Sequence, residues 1–364
     1  IQRLPSDQFE SEVISLFDYT QASQPHIADE LKQAGVPVHC FNFAKDGLRA
    51  YWQLWKYLRT QKPDVIHCHL PFAAVIGTVM GRLAGIRSVI AHEHNEYRFY
   101  SSKLRLALKA TLPLRSLTIC YSTAVEEGIF GSVHLLEHPE NAYTERSYTI
   151  RNGVSLTSID EAKHRTERTQ KRQEIDVQPD AQIIICVARL IDWKGQETLI
   201  EAFKRIRHQW PKAVLLIVGY GPNEPRLREV AGDLIANHIR FLGGRMDAYE
   251  LLSVSDLYSA AYTYADDFPT KEAIGVASLE AMAVGIPVII SDYPSAHGEL
   301  PESLHPFLVI PKDVDSLAKR LEELLSSEDK RRFMGTEGRK HVERCYAWEQ
   351  LIHIYESLYQ SFRK

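Results

Sequence analysis

Short apolar runs alternate with amphipathic segments along this chain, and the alternation runs through twice. That rhythm constrains the fold more than any other feature. In the first half, residues 12–17, 38–41, 64–68, 88–92, 117–121 and 148–151 read as strands, with helical patterns at 25–34, 48–60 and 73–84. Proline at position 25 suits a first helical turn. Near-continuous apolar strands separated by helices predict a parallel sheet covered on both faces. The alternation restarts at 182–188, with further strands expected at 213–218, 239–242, 256–262, 287–290 and 307–310. A helix over 195–208 carries Leu199, Phe203 and Ile206 on one face, and another lies near 225–237. The end, 314–327 and 329–364, reads as helical. The expected fold class is α/β, two doubly wound Rossmann-like domains facing one another.

At 364 residues the chain exceeds the usual span of one hydrophobic core, which fits two domains. The polar tract 155–180, rich in Lys, Arg, Glu and Gln, reads as the connection between them. A net charge of −4 argues against a dedicated nucleic-acid binder. No apolar run reaches membrane-spanning length, and no secretory pattern opens the chain. The five cysteines, Cys40, Cys68, Cys120, Cys186 and Cys345, are scattered, four of them inside apolar runs. They read as small buried hydrophobes in a reducing compartment rather than as disulfides. With no C-x-x-C pair and no clustered His/Cys set, no metal site is expected.

In doubly wound sheets, ligands bind outside the carboxyl ends of strands, where loops enter helices. The segment Lys271-Glu272-Ala273-Ile274-Gly275-Val276-Ala277-Ser278-Leu279-Glu280 places two carboxylates around a glycine at what reads as a helix mouth. Free N–H groups and the positive dipole end there suit phosphate. Carboxylates accept hydrogen bonds from hydroxyls instead, so the ligand should carry sugars as well. Arg189 and Lys194 bracket another helix entrance, where two cations would hold a diphosphate and stabilise it as it departs. Gly219 and Gly221 close the strand at 213–218, permitting tight turning and close backbone approach. Gly243 and Arg245 follow the next strand, an edge suited to a nucleobase read by main-chain groups. These features converge on a nucleotide sugar.

Together the motifs resemble the retaining glycosyltransferases of the GT-B fold, family 4. The segments that carry the likeness are Val187-Ala188-Arg189-Leu190, Lys194-Gly195, Val218-Gly219-Tyr220-Gly221-Pro222, Phe241-Leu242-Gly243 and the Glu-x7-Glu stretch ending Glu280-Ala281-Met282-Ala283. In the first half, Pro63-Asp64-Val65-Ile66-His67-Cys68-His69 resembles the family's third strand. Glu93-His94-Asn95 resembles the loop after the fourth, and Arg151-Asn152-Gly153-Val154 the interdomain entry. The closing Tyr346-Ala347-Trp348, Tyr355 and Tyr359 resemble the terminal helix that returns to the N-terminal domain. The resemblance implies an acceptor-side domain over 1–154, a linker over 155–180, a nucleotide-sugar-binding domain over 181–345 and a returning helix over 346–364.

The same resemblance implies that Glu272 contacts donor-sugar hydroxyls and Glu280 the ribose. Arg189 and Lys194 would hold the diphosphate, His94 would stand near the reacting sugar, and His69 would line the cleft. Gly219, Gly221, Gly243, Arg245, Gly275 and Val276 complete the donor set. Two departures stand out. The chain begins at Ile1, beyond the strand and glycine-rich loop that open the family's pattern, so an incomplete chain is expected. At Ala273-Ile274 the family often has glycine and an aromatic residue.

The implied reaction is metal-independent, with no cofactor beyond the nucleotide-diphosphate sugar as donor, and with a sugar or lipid-linked sugar as acceptor in surface polysaccharide or glycolipid synthesis. Two other readings stay open: a GT-B protein that binds nucleotide without transfer, and a sugar-nucleotide epimerase. The stretch 98–109 mixes basic and apolar residues at helical spacing. It fits an ordinary amphipathic helix, or a peripheral contact with the inner face of a membrane from the cytoplasm.

Overall fold

The computed structural model describes residues 1, 3–18, 26–95, 97–140, 143–263 and 274–363. The chain divides into two compact units, Ile1–Arg151 with Gln350–Lys364, and Asn152–Glu349.

The first unit contains β1 (Val13–Ser15), β2 (Val38–Cys40), β3 (Val65–His69), β4 (Ser88–Glu93), β5 (Leu117–Cys120) and β6 (Ser147–Thr149). All pairings are parallel, and the strands form two sheets, β1-β2 and β3-β4-β5-β6. Every residue of β4 is buried, as an interior strand covered on both faces requires. Ile14 of β1 and Ile66 of β3 pack against the same buried group, Leu16, Phe43, Leu54 and Ile76, although the two sheets share no ladder among the described residues. From Gln350 onward, helix Trp348–Phe362 belongs to this unit. There the Ser357 hydroxyl donates to the Glu140 carbonyl at 2.9 Å, and Tyr143 donates to the Ile354 carbonyl at 3.3 Å.

The second unit is built on one parallel sheet: β7 (Gln182–Val187), β8 (Ala213–Val218), β9 (Ile239–Gly243), β10 (Leu257–Ala260) and β11 (Val288–Ile290). The spatial order β11-β10-β7-β8-β9 reverses direction beside β7. On helix Gln196–Ile206 the expected face, Leu199, Phe203 and Ile206, is buried.

Several sequence expectations need correction. Residues 307–310 form no strand: Val309 makes a single bridge to Ser291, after a 3-10 turn Glu302–Phe307 whose Pro306 has no N–H to give a ladder. The tract 155–180 is not a bare connection but helices Leu156–Arg165 and Arg168–Glu174, each started by a side-chain cap from Ser155 or Glu167. Arg172 is 2% exposed there, and its guanidinium donates to the carbonyls of Pro179 (2.8 Å), Ala181 (2.7 Å) and Val254 (2.9 Å). The closing helical stretch is two helices, Glu328–Cys345 and Trp348–Phe362. At the break, Val154 donates to the Tyr346 carbonyl at 2.8 Å and accepts from Trp348 at 3.0 Å. All five cysteines are free; Cys68, Cys120 and Cys186 are buried, whereas Cys40 on β2 is exposed. Pro25 lies outside the described residues, and the helix there is described from His26.

Candidate functional site

The carboxyl ends of β7 and β10 flank the point where strand order reverses, the place where a doubly wound sheet leaves a crevice for a ligand. Arg189, just past β7, is exposed, and its guanidinium has no ion-pair partner among the described residues. Lys194 closes a short turn, Asp192–Lys194, with Nζ 3.7 Å from the Trp193 ring centre and 4.2 Å from that of Tyr262. Both rings thereby fix the ammonium in place. The Thr263 N–H donates to the Trp193 carbonyl and its hydroxyl to the Asp192 carbonyl, each at 3.0 Å, which ties the loops after β7 and β10 together.

Two glycines make that junction possible. Gly195 has φ +71° and Gly219 φ +138°, conformations that L side chains rarely adopt. A Cβ on Gly195 would overlap the Ala261 carbonyl, and one on Gly219 the Ala188 carbonyl, so the backbones after β7, β8 and β10 touch directly. Gly221 sits equally tight against the Leu190 carbonyl. The Gly219 N–H donates to the Gly243 carbonyl at 2.8 Å and draws the end of β9 into the group.

Helix Val276–Val284 starts at Gly275 with no side-chain cap, and Val276 at its first position is exposed. The N–H groups of Gly275, Val276 and Ala277 have no hydrogen-bond partner among the described residues. Such an uncapped start presents donors and a partial positive charge to an anion. A Cβ on Gly275 would overlap the Tyr262 hydroxyl, so this helix mouth adjoins the Lys194 turn.

Glu280 sits a full turn inside the helix rather than at its mouth, and its Oε1 accepts the Tyr249 hydroxyl at 3.2 Å. Burial pushes its carboxyl up to about 7, opposed only by that hydrogen bond. Arg245 is already engaged, forked onto Asp247 at 2.7 and 2.6 Å, while Lys171 holds the same carboxylate at 2.7 Å. Those cations, Arg245 first, keep Asp247 well below the usual carboxylate range. Glu272 lies outside the described residues.

A pH-dependent stability follows from Glu280. Its native carboxyl keeps a proton that the unfolded chain releases from pH 4.5 upward, so rising pH favours unfolding until about 7. The penalty is absent in acid and complete above neutrality. Glu280→Gln removes it and should stabilise the protein by about 2 kcal/mol at pH 8, with little change near pH 4.5. Urea unfolding at both pH values checks this; an equal effect at the two would contradict it.

In the first unit, β4 extends through Glu93, so His94 and not Glu93 begins the loop. The Glu93 carboxylate is wholly buried, paired with Arg115 at 2.7 Å and hydrogen-bonded by Tyr97 at 3.0 Å. Across the strand, His94 is half-buried with Nε2 3.4 Å from His69 Nδ1, and burial lowers its pKa. One nitrogen each from His67, His69 and His92 falls within a mutual 4.8 Å. This set corrects the expectation of no clustered His group; its signal in the sequence is the pair of H-x-H patterns at 67–69 and 92–94, which only strand pairing brings together.

Residues 167–341 match the family model for glycosyl transferases group 1, and residues 1–157 match that for glycosyltransferase family 4. This chain belongs to the family 4 glycosyltransferases of the GT-B fold. A relative of this glycosyltransferase, the GDP-mannose-dependent monoacylated alpha-(1-6)-phosphatidylinositol monomannoside mannosyltransferase of Corynebacterium glutamicum, is 29% identical over 289 residues, covering 77% of this chain and 71% of that one. A GDP-mannose-dependent alpha-(1-6)-phosphatidylinositol monomannoside mannosyltransferase of Mycobacterium tuberculosis is 32% identical over 187 residues, 50% of this chain. That match spans under half of the relative, 47%. Anabaena HepE, solved in complex with UDP-glucose, shares the fold with a TM-score of 0.73 at 21% identity, covering 91% of this chain and 88% of that one.

Proposed function

We propose that this glycosyltransferase moves a sugar from a nucleotide-diphosphate donor to an acceptor hydroxyl with retention at the anomeric carbon, and needs no metal at the diphosphate. The carrying observation is the exposed Arg189 beside the ring-held Lys194, at the strand-order reversal and next to an uncapped helix start. Two cations and a set of unpaired N–H groups supply the charge stabilisation that a departing diphosphate requires. Gly243, with no atom within 4 Å of where its Cβ would stand, leaves the main chain open to close approach by the nucleotide, while Gly219 and Gly221 hold the loops after β7 and β8 close together beside it. Glu280 accepts hydroxyls of the ribose, and Glu272 those of the donor sugar. Departure and attack occur on one face of the sugar, assisted by the leaving diphosphate, with His94 near the reacting carbon.

The acceptor class is a glycolipid or a growing surface polysaccharide, supported by relatives named as a phosphatidylinositol monomannoside mannosyltransferase and as a capsular polysaccharide biosynthesis glycosyltransferase. No helix among the described residues is long and apolar enough to cross a membrane. Helix Ser102–Thr111 leaves Leu106 70% exposed between Lys103 and Lys109, which suits a peripheral contact with an anionic inner leaflet.

A donor screen that reads nucleoside-diphosphate release with and without acceptors tests the reaction. Acceptor-dependent release from one donor, with a product of unchanged anomeric configuration, is the expected outcome. An inverted product would sink the retaining mechanism, and full transfer after Glu272→Ala would overturn that residue's role.

A further inference from the structure

Four histidines line one face where β3 and β4 end. His67 and His69 alternate along β3, and His69 pairs in register with His92 of β4. The period of two along a strand sends all three side chains to the same side of the sheet. The rings of His67 and His92 lie 5.5 Å apart with planes 4° from parallel, and His94 continues the stack 4.6 Å from His92.

Stacked rings alone make no ligand site; the unpaired nitrogens point to one. His92 is 4% exposed, and neither of its ring nitrogens has a hydrogen-bond partner among the described residues. His67 Nε2 is likewise buried and unpaired. Buried polar atoms are rarely left so, because each keeps the full penalty of its lost water. His67 Nδ1 meets the Tyr359 hydroxyl at 2.6 Å. An Nδ1–H donated there leaves the Nε2 lone pair facing the cluster, the tautomer that an outer partner fixes on a metal-binding imidazole.

We propose that His67, His69 and His92 form a binding site for a borderline transition-metal cation, zinc above all, with the fourth position left to water or His94. A set of imidazoles without carboxylates suits zinc, nickel, cobalt or copper and offers little to calcium or magnesium. Zinc–nitrogen bonds of about 2.0–2.1 Å in a tetrahedron put the nitrogens about 3.4 Å apart. The three nitrogens lie within 4.8 Å of one another, so a bound ion must draw them together by up to about 1.4 Å.

The test is a titration of the chelator-stripped full chain with cobalt(II), in the absence of donor, followed by displacement with zinc. We expect one equivalent to bind with the intense visible bands of low-coordinate cobalt, and zinc to bleach them and raise the thermal midpoint. His92→Ala should abolish the bands. Should that buried replacement fail to fold, the exposed His69→Ala must still reduce affinity at least tenfold. His297→Ala, which removes a surface imidazole paired with Asp292, should change nothing. Absent bands, or bands that survive both His69→Ala and His92→Ala, would overturn the site. Because the readout is metal binding, its failure leaves the transfer reaction untouched.

Discussion

Replacing Arg189 by alanine should lower kcat/KM for sugar transfer by two to three orders of magnitude, about 3–4 kcal/mol of transition-state stabilisation. Two observations set that scale. The guanidinium is exposed and has no ion-pair partner among the described residues, so its charge is available to a ligand. Its backbone is fixed, since the Arg189 carbonyl accepts the Gln196 side-chain amide at 2.9 Å. An exposed side chain away from any special contact changes folding stability by no more than about 0.5 kcal/mol when truncated. The signature is therefore a deep loss of transfer with an unmoved unfolding curve. Arg189→Lys keeps a point charge but loses the fork that grips two oxygens, so it should fall between the two. Lys194→Ala should differ in kind, because it also removes contacts with Trp193 and Tyr262 and so lowers stability as well as turnover. Transfer by Arg189→Ala within threefold of the parent would reduce Arg189 to a solvated loop residue.

What was legible in the sequence follows a physical rule. The interior strands of the two larger sheets announced themselves because parallel strands buried on both faces must be apolar almost throughout, as β8 is at all six positions. The loop positions were legible as strand ends, because glycines such as Gly195 and Gly219 mark turns that L side chains rarely adopt. Composition misled at 155–180. A tract dense in Lys, Arg, Glu and Gln looks like a solvated tether, yet Arg172 is buried there because carbonyls from distant positions such as Val254 satisfy it. No local pattern encodes partners so far away in sequence. Arg245 is forked onto Asp247, a pairing that the two-residue spacing already allowed. Glu93 was read with the loop, yet strand β4 continues through it and turns it away from His92 and His94. Only that extra residue of strand separates a buried ion pair on one face from a histidine ladder on the other.

Arg115→Met should destabilise the first unit by about 3–5 kcal/mol, a large fraction of the stability of a domain. The Arg115 and Glu93 side chains are 1% and 0% exposed. Beyond the 2.7 Å contact with Glu93, the guanidinium donates to the Tyr97 hydroxyl at 3.1 Å and to Thr111 Oγ1 at 3.2 Å. Methionine fills much the same volume, so the loss does not come from a cavity. It comes from a carboxylate left without its cation in a site that water does not reach. That origin has a checkable corollary. Glu93→Gln added to Arg115→Met removes the stranded charge and should restore most of the stability, because a buried ion pair is often no better than neutral groups of matching shape. Urea unfolding of the two single variants and the double variant gives the coupling between the residues. Additive losses would mean that the two charges do not depend on each other, and that the strand carrying His92 is held by something other than this pair.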